Sequence, residues 1–316
     1  MNSIEQKKVS YVIVDESSEG QRLDNFLLKC LRKAPKSLIY RIIRKGEVRV
    51  NKGRAKPDTR LTVGDSVRVP PVSFNQACKP SASQNTLERI RACIIYEDET
   101  ILVVNKPAGL PVHGGSGLNG GLIELMRLAR PELRFLELVH RLDKATSGCL
   151  LLAKKRSILR ELNELLQQSS FKKYYLALTK GHWAPDELMV DVPLEKFHRV
   201  SGERVVKVGP EGKKAKTQFK VLERFEEASL VEARLYTGRT HQIRVHAQCQ
   251  KHPIASDEKY GDKVFNQYCR KLGLKRMFLH AARLEFYLPS LEKRISIEAP
   301  LDESLQLMLK TLEKKR

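Results

Sequence analysis

The sequence predicts an α+β protein with two domains, a small basic domain followed by a larger domain of mixed strands and helices. The chain of 316 residues, 41% of them hydrophobic, is long enough to form two cores. Residues 20–60 contain 13 Lys and Arg but only three Asp and Glu, so nearly half of the net charge of +21 lies in this stretch. A polar, Pro- and Ser-containing segment over residues 73–86 then predicts a linker.

The basic stretch has the pattern of two helices and two short strands. The first helix is indicated by apolar residues at helical spacing (Leu23, Phe26, Leu27 and Leu31) and ends before Pro35. We expect Ser37 to cap a second helix over residues 38–45, with Gly46 ending it. Its apolar stripe consists of Leu38, Ile39, Ile42 and Ile43. Alternating segments at 47–51 and 66–69 predict strands.

The charge of this stretch favours a polyanionic partner, because an excess of one sign destabilises a compact chain by self-repulsion. Arg41, Arg44 and Lys45 lie off the apolar stripe and can contact a phosphate backbone together. A solvated basic helix face is the simpler reading, and an anionic membrane surface is a weaker alternative to nucleic acid. Residues 21–70 resemble an S4 RNA-binding domain, which implies a helix–helix–hairpin fold. We therefore divide the chain into an N-terminal segment (1–19), this domain (20–72), the linker (73–86) and a larger domain (87–316).

The larger domain has recognisable strand and helix patterns. Strands are predicted at 101–104, 231–235, 243–245 and 295–297, and a helix at 154–166. A terminal helix is indicated by a stripe of Leu305, Met308, Leu309 and Leu312 that follows the acidic pair Asp302 and Glu303.

Several kinds of site are excluded by residue spacing. The six cysteines form no C-x-x-C pair, and His241 and His246 lack the H-E-x-x-H arrangement, so we expect no structural zinc and no other metal. The N-terminus lacks a signal peptide and no apolar run could span a membrane, so we expect a reduced, soluble, cytoplasmic protein. Residues 115–120 match G-x-G-x-x-G without the required strand and helix, which predicts a glycine loop rather than a dinucleotide site. Ser147 lacks the surroundings of a hydrolase nucleophile.

Asp143 and Arg244 remain as candidate catalytic residues. Asp143 follows an apolar run and begins a turn, where it could cap the turn through Thr146 or Ser147 or could be held ionised by a cation. If residues 241–246 form a strand, Gln242, Arg244 and His246 share one face, and Arg244 can bind a carboxylate. Alternatively, Arg239 and Arg244 only contact phosphates.

Four motifs resemble those of RluA-type pseudouridine synthases, in the expected order: KPAGLPVHGG, HRLDKATSGCLLLAK, KKYYLAL and TGRTHQIRVH. The resemblance implies a mainly antiparallel sheet with flanking helices and a catalytic Asp143 with Arg244 as its basic partner. It also implies that Tyr175 packs on the target base and that Arg141 holds RNA with the base flipped out. Tyr175 is chosen over Tyr174 because Leu-Ala follows it. His113 and Arg239, in the first and last motifs, are further expected RNA contacts.

The implied reaction is the isomerisation of uridines in 23S rRNA, or in a precursor of the large ribosomal subunit, without any cofactor. Asp143 would either attack the sugar covalently or remove a C2′ proton, and the sequence leaves both routes open. A non-catalytic ribosome-binding factor and an N-glycosidase that releases uracil are the alternatives. A monomer is the default expectation.

Overall fold

The computed structural model describes residues 3–6, 8–31, 34–75, 82–114, 120–198 and 204–314. It divides the chain into two compact units, Met1–Lys79 and Pro80–Arg316. Most of the predicted glycine loop, residues 115–119, lies outside the described residues.

The first unit consists of two small sheets and two helices. Its strands are β1 (Ser3–Gln6), β2 (Ser10–Ile13), β3 (Arg49–Val50), β4 (Gly53–Arg54), β5 (Ser66–Val69) and β6 (Val72–Asn75), and its helices are α1 (Leu23–Cys30) and α2 (Lys36–Arg44). A short 3₁₀ helix occupies Glu16–Ser18. Antiparallel pairing gives the strand order β2-β5-β3-β4, and β1 pairs separately with β6. The apolar stripes of α1 and α2 pack into one core.

Both predicted helices of the basic stretch are confirmed, but the predicted cap is wrong. Helix α2 begins at Lys36 with Pro35 in the N-cap position, so Ser37 lies inside the first turn. Proline suits the residue before a helix because its φ, here −61°, is fixed and it has no N–H group to satisfy. Gly46 ends the helix as predicted, with φ at 71°. Strand β2, which pairs with β5, had no clear sequence signal because only four residues alternate.

The second unit contains the remaining elements. Its helices are α3 (Gln84–Ala92), α4 (Leu122–Ala129), α5 (Arg156–Gln167), α6 (Gln242–Cys249), α7 (Lys263–Lys271) and α8 (Glu303–Glu313). Its strands are β7 (Ile94–Glu97), β8 (Ile101–Lys106), β9 (Glu137–Leu138), β10 (Ser147–Ala153), β11 (Lys172–Lys180), β12 (Glu187–Asp191), β13 (Leu194–His198), β14 (Arg204–Val208), β15 (Lys216–Arg224), β16 (Ala228–Leu235), β17 (Leu279–Leu288) and β18 (Lys293–Glu298).

Among the described residues, ten strands form one mixed sheet in the order β12-β15-β16-β11-β17-β10-β8-β7, with β18 paired to β17 and β9 paired to β10. Strands β10 and β17 are parallel, and the other neighbours in this sheet are antiparallel. The predicted α+β class with a mainly antiparallel sheet is confirmed. The helices predicted at 154–166 and at the C-terminus correspond to α5 and α8, and Asp302 caps α8 by accepting a hydrogen bond from the Leu305 N–H.

The prediction of a strand at 243–245 is wrong, because these residues belong to helix α6. The alternation in this short run fits a helix equally well, since Ile243 and Ala247 are one helical turn apart and both pack into the core. Gln242, Arg244 and His246 therefore do not share a sheet face. All three are buried and hydrogen-bonded, which the alternation alone could not indicate.

Gly148 lets the parallel strands β10 and β17 approach each other. Its φ is 108°, and a Cβ at this position would lie 2.2 Å from the carbonyl oxygen of Ala281. The close approach brings the loop before β10, which contains Asp143, next to the start of β17.

Replacing Gly148 by Ala is expected to destabilise the second unit much more than replacing Gly273. Gly273 also has a positive φ, 95°, but has no atom within 4 Å of a built Cβ. We expect a loss of about 1 kcal/mol for Gly273→Ala from backbone strain, and of about 3 kcal/mol or more for Gly148→Ala because the strands must also separate. Urea unfolding measures both, and equal losses would contradict the close-approach argument.

Candidate active site

The second unit contains a cleft of about 1210 Å³. Its walls are the loop 139–146, the first half of β11, the loop 236–241, the start of α6 and the C-terminal end of α5. Six of the residues selected from the sequence line it: His113, Arg141, Asp143, Tyr175, Arg239 and Arg244. The other three are exposed in the first unit, Arg41 and Arg44 on α2 and Lys45 at its C-cap.

The loop carrying Asp143 is fixed mainly by its backbone. The Val139 N–H donates to the carbonyl oxygen of Leu151, and the Leu151 N–H donates to Nε2 of His140 at 3.2 Å. Burial lowers the pKa of His140 to about 4, and the charge of Lys173 acts in the same direction, so the ring stays a neutral acceptor. The Thr146 N–H closes the turn by donating to the backbone carbonyl of Asp143, which leaves the carboxylate available to the cleft.

Lys106 is a positioning residue that the sequence reasoning missed. It is fully buried, and its Nζ donates to the carbonyl oxygens of Pro107, Leu110 and Lys144 at 2.8–3.2 Å. Burial lowers the pKa of Lys106 to about 7, with the charge of Arg276 acting in the same direction and that of Asp143 opposing. The lysine thus ties the loop after β8 to the residue that follows Asp143. The available signal was a lysine two residues after the predicted apolar strand at 101–104.

Arg244 connects the carboxylate of Asp143 to a second, buried carboxylate. Its Nε and Nη2 donate to both oxygens of Asp257 at 2.7 and 2.8 Å, and its Nη1 donates to Oδ2 of Asp143 at 3.2 Å. Asp257 is 1% exposed, whereas the side chain of Asp143 is 30% exposed. Burial alone would raise the pKa of Asp257, but hydrogen bonds and charge from Arg244 hold it below its ordinary value. The Asp143–Arg244 contact expected from the resemblance is thus present, although Arg244 comes from a helix.

Asp257 gave no sequence signal, because it lies in the segment between α6 and α7 and its partner is 13 positions away. The N–H groups of Lys259 and Tyr260 also donate to its Oδ1. The guanidinium of Arg244 lies over the ring of Tyr260, 4.9 Å from its centroid.

Tyr175, rather than Tyr174, lines the cleft. Tyr175 is 7% exposed, and burial raises the pKa of its hydroxyl, with the charge of Asp143 adding to the effect. Tyr174 points to the other face of β11, where its ring contacts the guanidinium groups of Arg234 and Arg283. The strand alternation therefore resolves the register of the doubled tyrosine.

His241 is a second residue that the sequence reasoning did not assign to the site. Its backbone is left-handed, with φ at 54°, and it forms the N-cap of α6. Its Nδ1 is 2.8 Å from the hydroxyl of Tyr260, and its Nε2 is 3.7 Å from Oδ2 of Asp143. Burial lowers the pKa of His241, although the charge of Asp143 opposes this shift, so the ring is neutral at neutral pH.

The charges around the cleft suit a polyanion. Asp143 is the single carboxylate among the described lining residues, and the cations are Arg141, Lys144, Lys173, Arg239 and Arg244. Within the described ranges, no three His, Cys, Asp or Glu side chains are arranged to hold a metal ion. In the same part of the chain, every helix is too short or too polar to cross a bilayer.

Comparisons with known sequences match both units. Residues 100–249 match a family described as RNA pseudouridylate synthase, and residues 21–67 match the S4 domain. A protein of Vibrio cholerae named ribosomal large subunit pseudouridine synthase C is 49% identical over 98% of this chain and 98% of its own length. A protein of Yersinia pestis with the same name is 53% identical over 97% of this chain and 96% of its own.

Solved structures agree with this match. The human RNA pseudouridylate synthase domain containing 4 superposes with a TM-score of 0.60 at 28% identity, covering 72% of this chain and 97% of that protein. The human RNA pseudouridylate synthase domain containing 1 gives a TM-score of 0.57 at 26% identity, covering 68% and 86%.

Replacing Asp257 by Asn is expected to lower the free energy of unfolding by about 3–5 kcal/mol, because the buried Arg244 charge loses its principal partner. The exposed Asp186→Asn, which breaks an ion pair with Arg224, should cost less than about 1 kcal/mol. Adding Arg244→Met to Asp257→Asn should recover part of the loss, because it removes the unpaired charge. Urea unfolding of these three variants and of the single variant Arg244→Met tests this, and strictly additive losses for the double variant would contradict it.

Proposed function

The chain belongs to the RNA pseudouridylate synthase family, and we propose that it converts uridines of 23S rRNA in the large ribosomal subunit to pseudouridine. Relatives about half identical along their whole length are named for this activity on the large subunit. The observation that carries the mechanism is the geometry of Asp143, the one carboxylate among the described lining residues of the cleft, which the guanidinium of Arg244 holds at 3.2 Å.

The reaction breaks the bond between N1 of uracil and C1′ of ribose, turns the base, and joins C5 to C1′. No atom is added and no electron is exchanged, so a carboxylate beside C1′ and C2′ can serve without a metal or coenzyme. Asp143 takes this role, either by attacking C1′ or by removing a C2′ proton. Both routes need an oriented carboxylate, and Arg244 supplies this orientation through the hydrogen bond from its Nη1 to Oδ2 of Asp143.

The target base must leave its stack before it can reach Asp143, which costs a few kcal/mol. The ring of Tyr175 offers a stacking surface in the cleft, which recovers part of this cost. Arg141 is exposed at the cleft and fills the space that the base leaves. Arg239 and His113 bind the neighbouring RNA, and Arg239 is oriented by a hydrogen bond from its Nε to the carbonyl oxygen of Lys214.

The first unit adds affinity rather than chemistry. It matches the S4 domain, and its cations Arg41, Arg44 and Lys45 are exposed on the last turn of α2 and at its C-cap. A second attachment of this kind raises the local concentration of the enzyme on its RNA. We further propose that the protein acts in the cytoplasm, since relatives are named for an activity on the large ribosomal subunit, and that it does so as a monomer.

Carbodiimide mapping of an unmodified 23S rRNA transcript, with and without the protein, tests the function and identifies the uridines. New stops at discrete positions are expected only in the treated RNA. Binding without any new stop would favour a ribosome-binding factor, and release of free uracil would favour an N-glycosidase.

Asp143→Asn is expected to abolish pseudouridine formation while preserving RNA binding. The amide cannot act as nucleophile or base, so turnover should fall by more than about a thousandfold. Affinity for the transcript should be kept, because one negative charge has been removed from a basic cleft. Tritium release from 5-tritiated RNA measures turnover. Asp191→Asn, an exposed carboxylate 3.3 Å from Lys216, is the control and should remain fully active. Substantial turnover by Asp143→Asn would exclude the proposed role.

A triple variant, Arg41→Gln, Arg44→Gln and Lys45→Gln, should bind 23S rRNA more weakly and with a smaller dependence on salt. The slope of log affinity against log salt should fall by about two, because up to three phosphate contacts are lost. Turnover at saturating RNA should be unchanged. Lys263→Gln, Lys271→Gln and Lys275→Gln make the same charge change elsewhere on the surface, and should change the slope less. Equal slopes for the two triple variants would contradict a specific role for α2.

A further inference from the structure

Lys173 is a cation of the active cleft to which the mechanism assigns no role. It lies on β11 two residues before Tyr175, so both side chains project from the same face of the strand. Both line the cleft, and their positions along the strand differ by roughly 7 Å. That spacing is similar to the distance between a base and the phosphate of its own nucleotide.

The amine of Lys173 has no partner within the part of the chain that the structure describes. Other lysines of β11 do: Nζ of Lys172 is 3.7 Å from Glu285, and Nζ of Lys180 is 3.1 Å from Asp262. Lys173 is also only partly accessible to solvent, and burial lowers its pKa without any carboxylate to offset the shift. A partly buried ammonium without a counter-charge is unfavourable, which indicates that its partner is a bound ligand.

The surroundings of the amine indicate an anion. Nζ lies 3.6 Å from where a Cβ of Gly238 would stand, so it is next to the turn that carries Arg239. His140 is also close to the amine, since its pKa is lowered by burial and additionally by the charge of Lys173. Asp143, the one carboxylate among the described lining residues, is already bound by Arg244. An anionic group between Lys173 and the 237–240 turn would pair with both Lys173 and Arg239.

We propose that Lys173 binds the backbone phosphate of the nucleotide whose base lies against Tyr175. The inference rests on the proposed function, since RNA is the ligand that supplies both a base and a phosphate at this spacing. Lys173 then sets how far the nucleotide enters the cleft, while Tyr175 supports its base. A bulky side chain at Gly238 would occupy the space beside the amine.

The test compares Lys173→Met, Lys173→Arg and Lys172→Met in the full-length protein, with an unmodified 23S rRNA transcript as the ligand. Lys173→Met should bind about tenfold more weakly, because one charge-assisted contact is lost. Its salt slope should fall by about 0.7–0.9, the value for one phosphate contact. Lys173→Arg should restore the slope. Lys172→Met removes a charge at the adjacent residue on the opposite face and should leave both affinity and slope unchanged.

Kinetics provide a second readout. Loss of a phosphate contact that is equal in ground and transition states raises KM and leaves kcat unchanged, so Lys173→Met should show this pattern. An unchanged salt slope in Lys173→Met, as expected if the amine contacts a uracil oxygen instead, would overturn the proposal. A fall in kcat with unaltered KM would also overturn it. Melting temperatures of the three variants control for folding, and Lys173→Arg keeps the slope test valid if Lys173→Met is destabilised.

The experiments distinguish a failure of the proposed function from a failure of the phosphate contact proposed for Lys173. A wild-type protein that binds the transcript but forms no pseudouridine overturns the proposed function, whereas the salt slope still reports the phosphate contact. A wild-type protein that is active, with a Lys173→Met variant of unchanged slope, overturns only the assignment of Lys173.

Discussion

Arg244 holds the active cleft together because its guanidinium is buried and must be paired on more than one side. Two of its nitrogens are used by Asp257, which is almost completely buried, and the third reaches Asp143 in the cleft wall. Since an unpaired buried charge costs several kcal/mol, the fold cannot release Arg244 from Asp257 without a large loss of stability. The direction of the Nη1–H group of Arg244 is thereby set before substrate binds. Because this group donates to Asp143, the orientation of the Asp143 carboxylate is set as well.

The sheet supplies the rigidity on which this arrangement depends. Asp143 lies in the loop that enters β10, and the close approach of β10 to β17 at Gly148 leaves that loop little freedom. Lys106 fixes the loop further from inside the core, because its amine donates to the carbonyl oxygens of Lys144, Pro107 and Leu110. A reacting carboxylate gains most from such a setting, because small errors in its position are costly for catalysis.

The two units carry their positive charge in different settings. The first unit presents cations on the exposed face of α2 and at its C-cap, where water and salt screen them and where the proposed function has them add affinity for an RNA backbone. In the second unit, five cations line the cleft around a single described carboxylate. Two of them, Lys173 and Arg244, are partly or fully buried, so these two have more defined positions and larger electrostatic effects. One chain can therefore combine a salt-sensitive attachment to RNA with a precise reaction site.

The sequence by itself determined what depends on neighbours in the chain. The helices α1, α2, α5 and α8 follow from periodic apolar stripes, and the motif resemblance identified Asp143, Tyr175 and Arg244 as a group. Only the tertiary structure decided that residues 242–249 form a helix, that Asp257 and Lys106 hold the site, and that Lys173 lacks a described partner. These outcomes depend on which groups become buried together, and burial against residues distant in sequence leaves no local pattern to read.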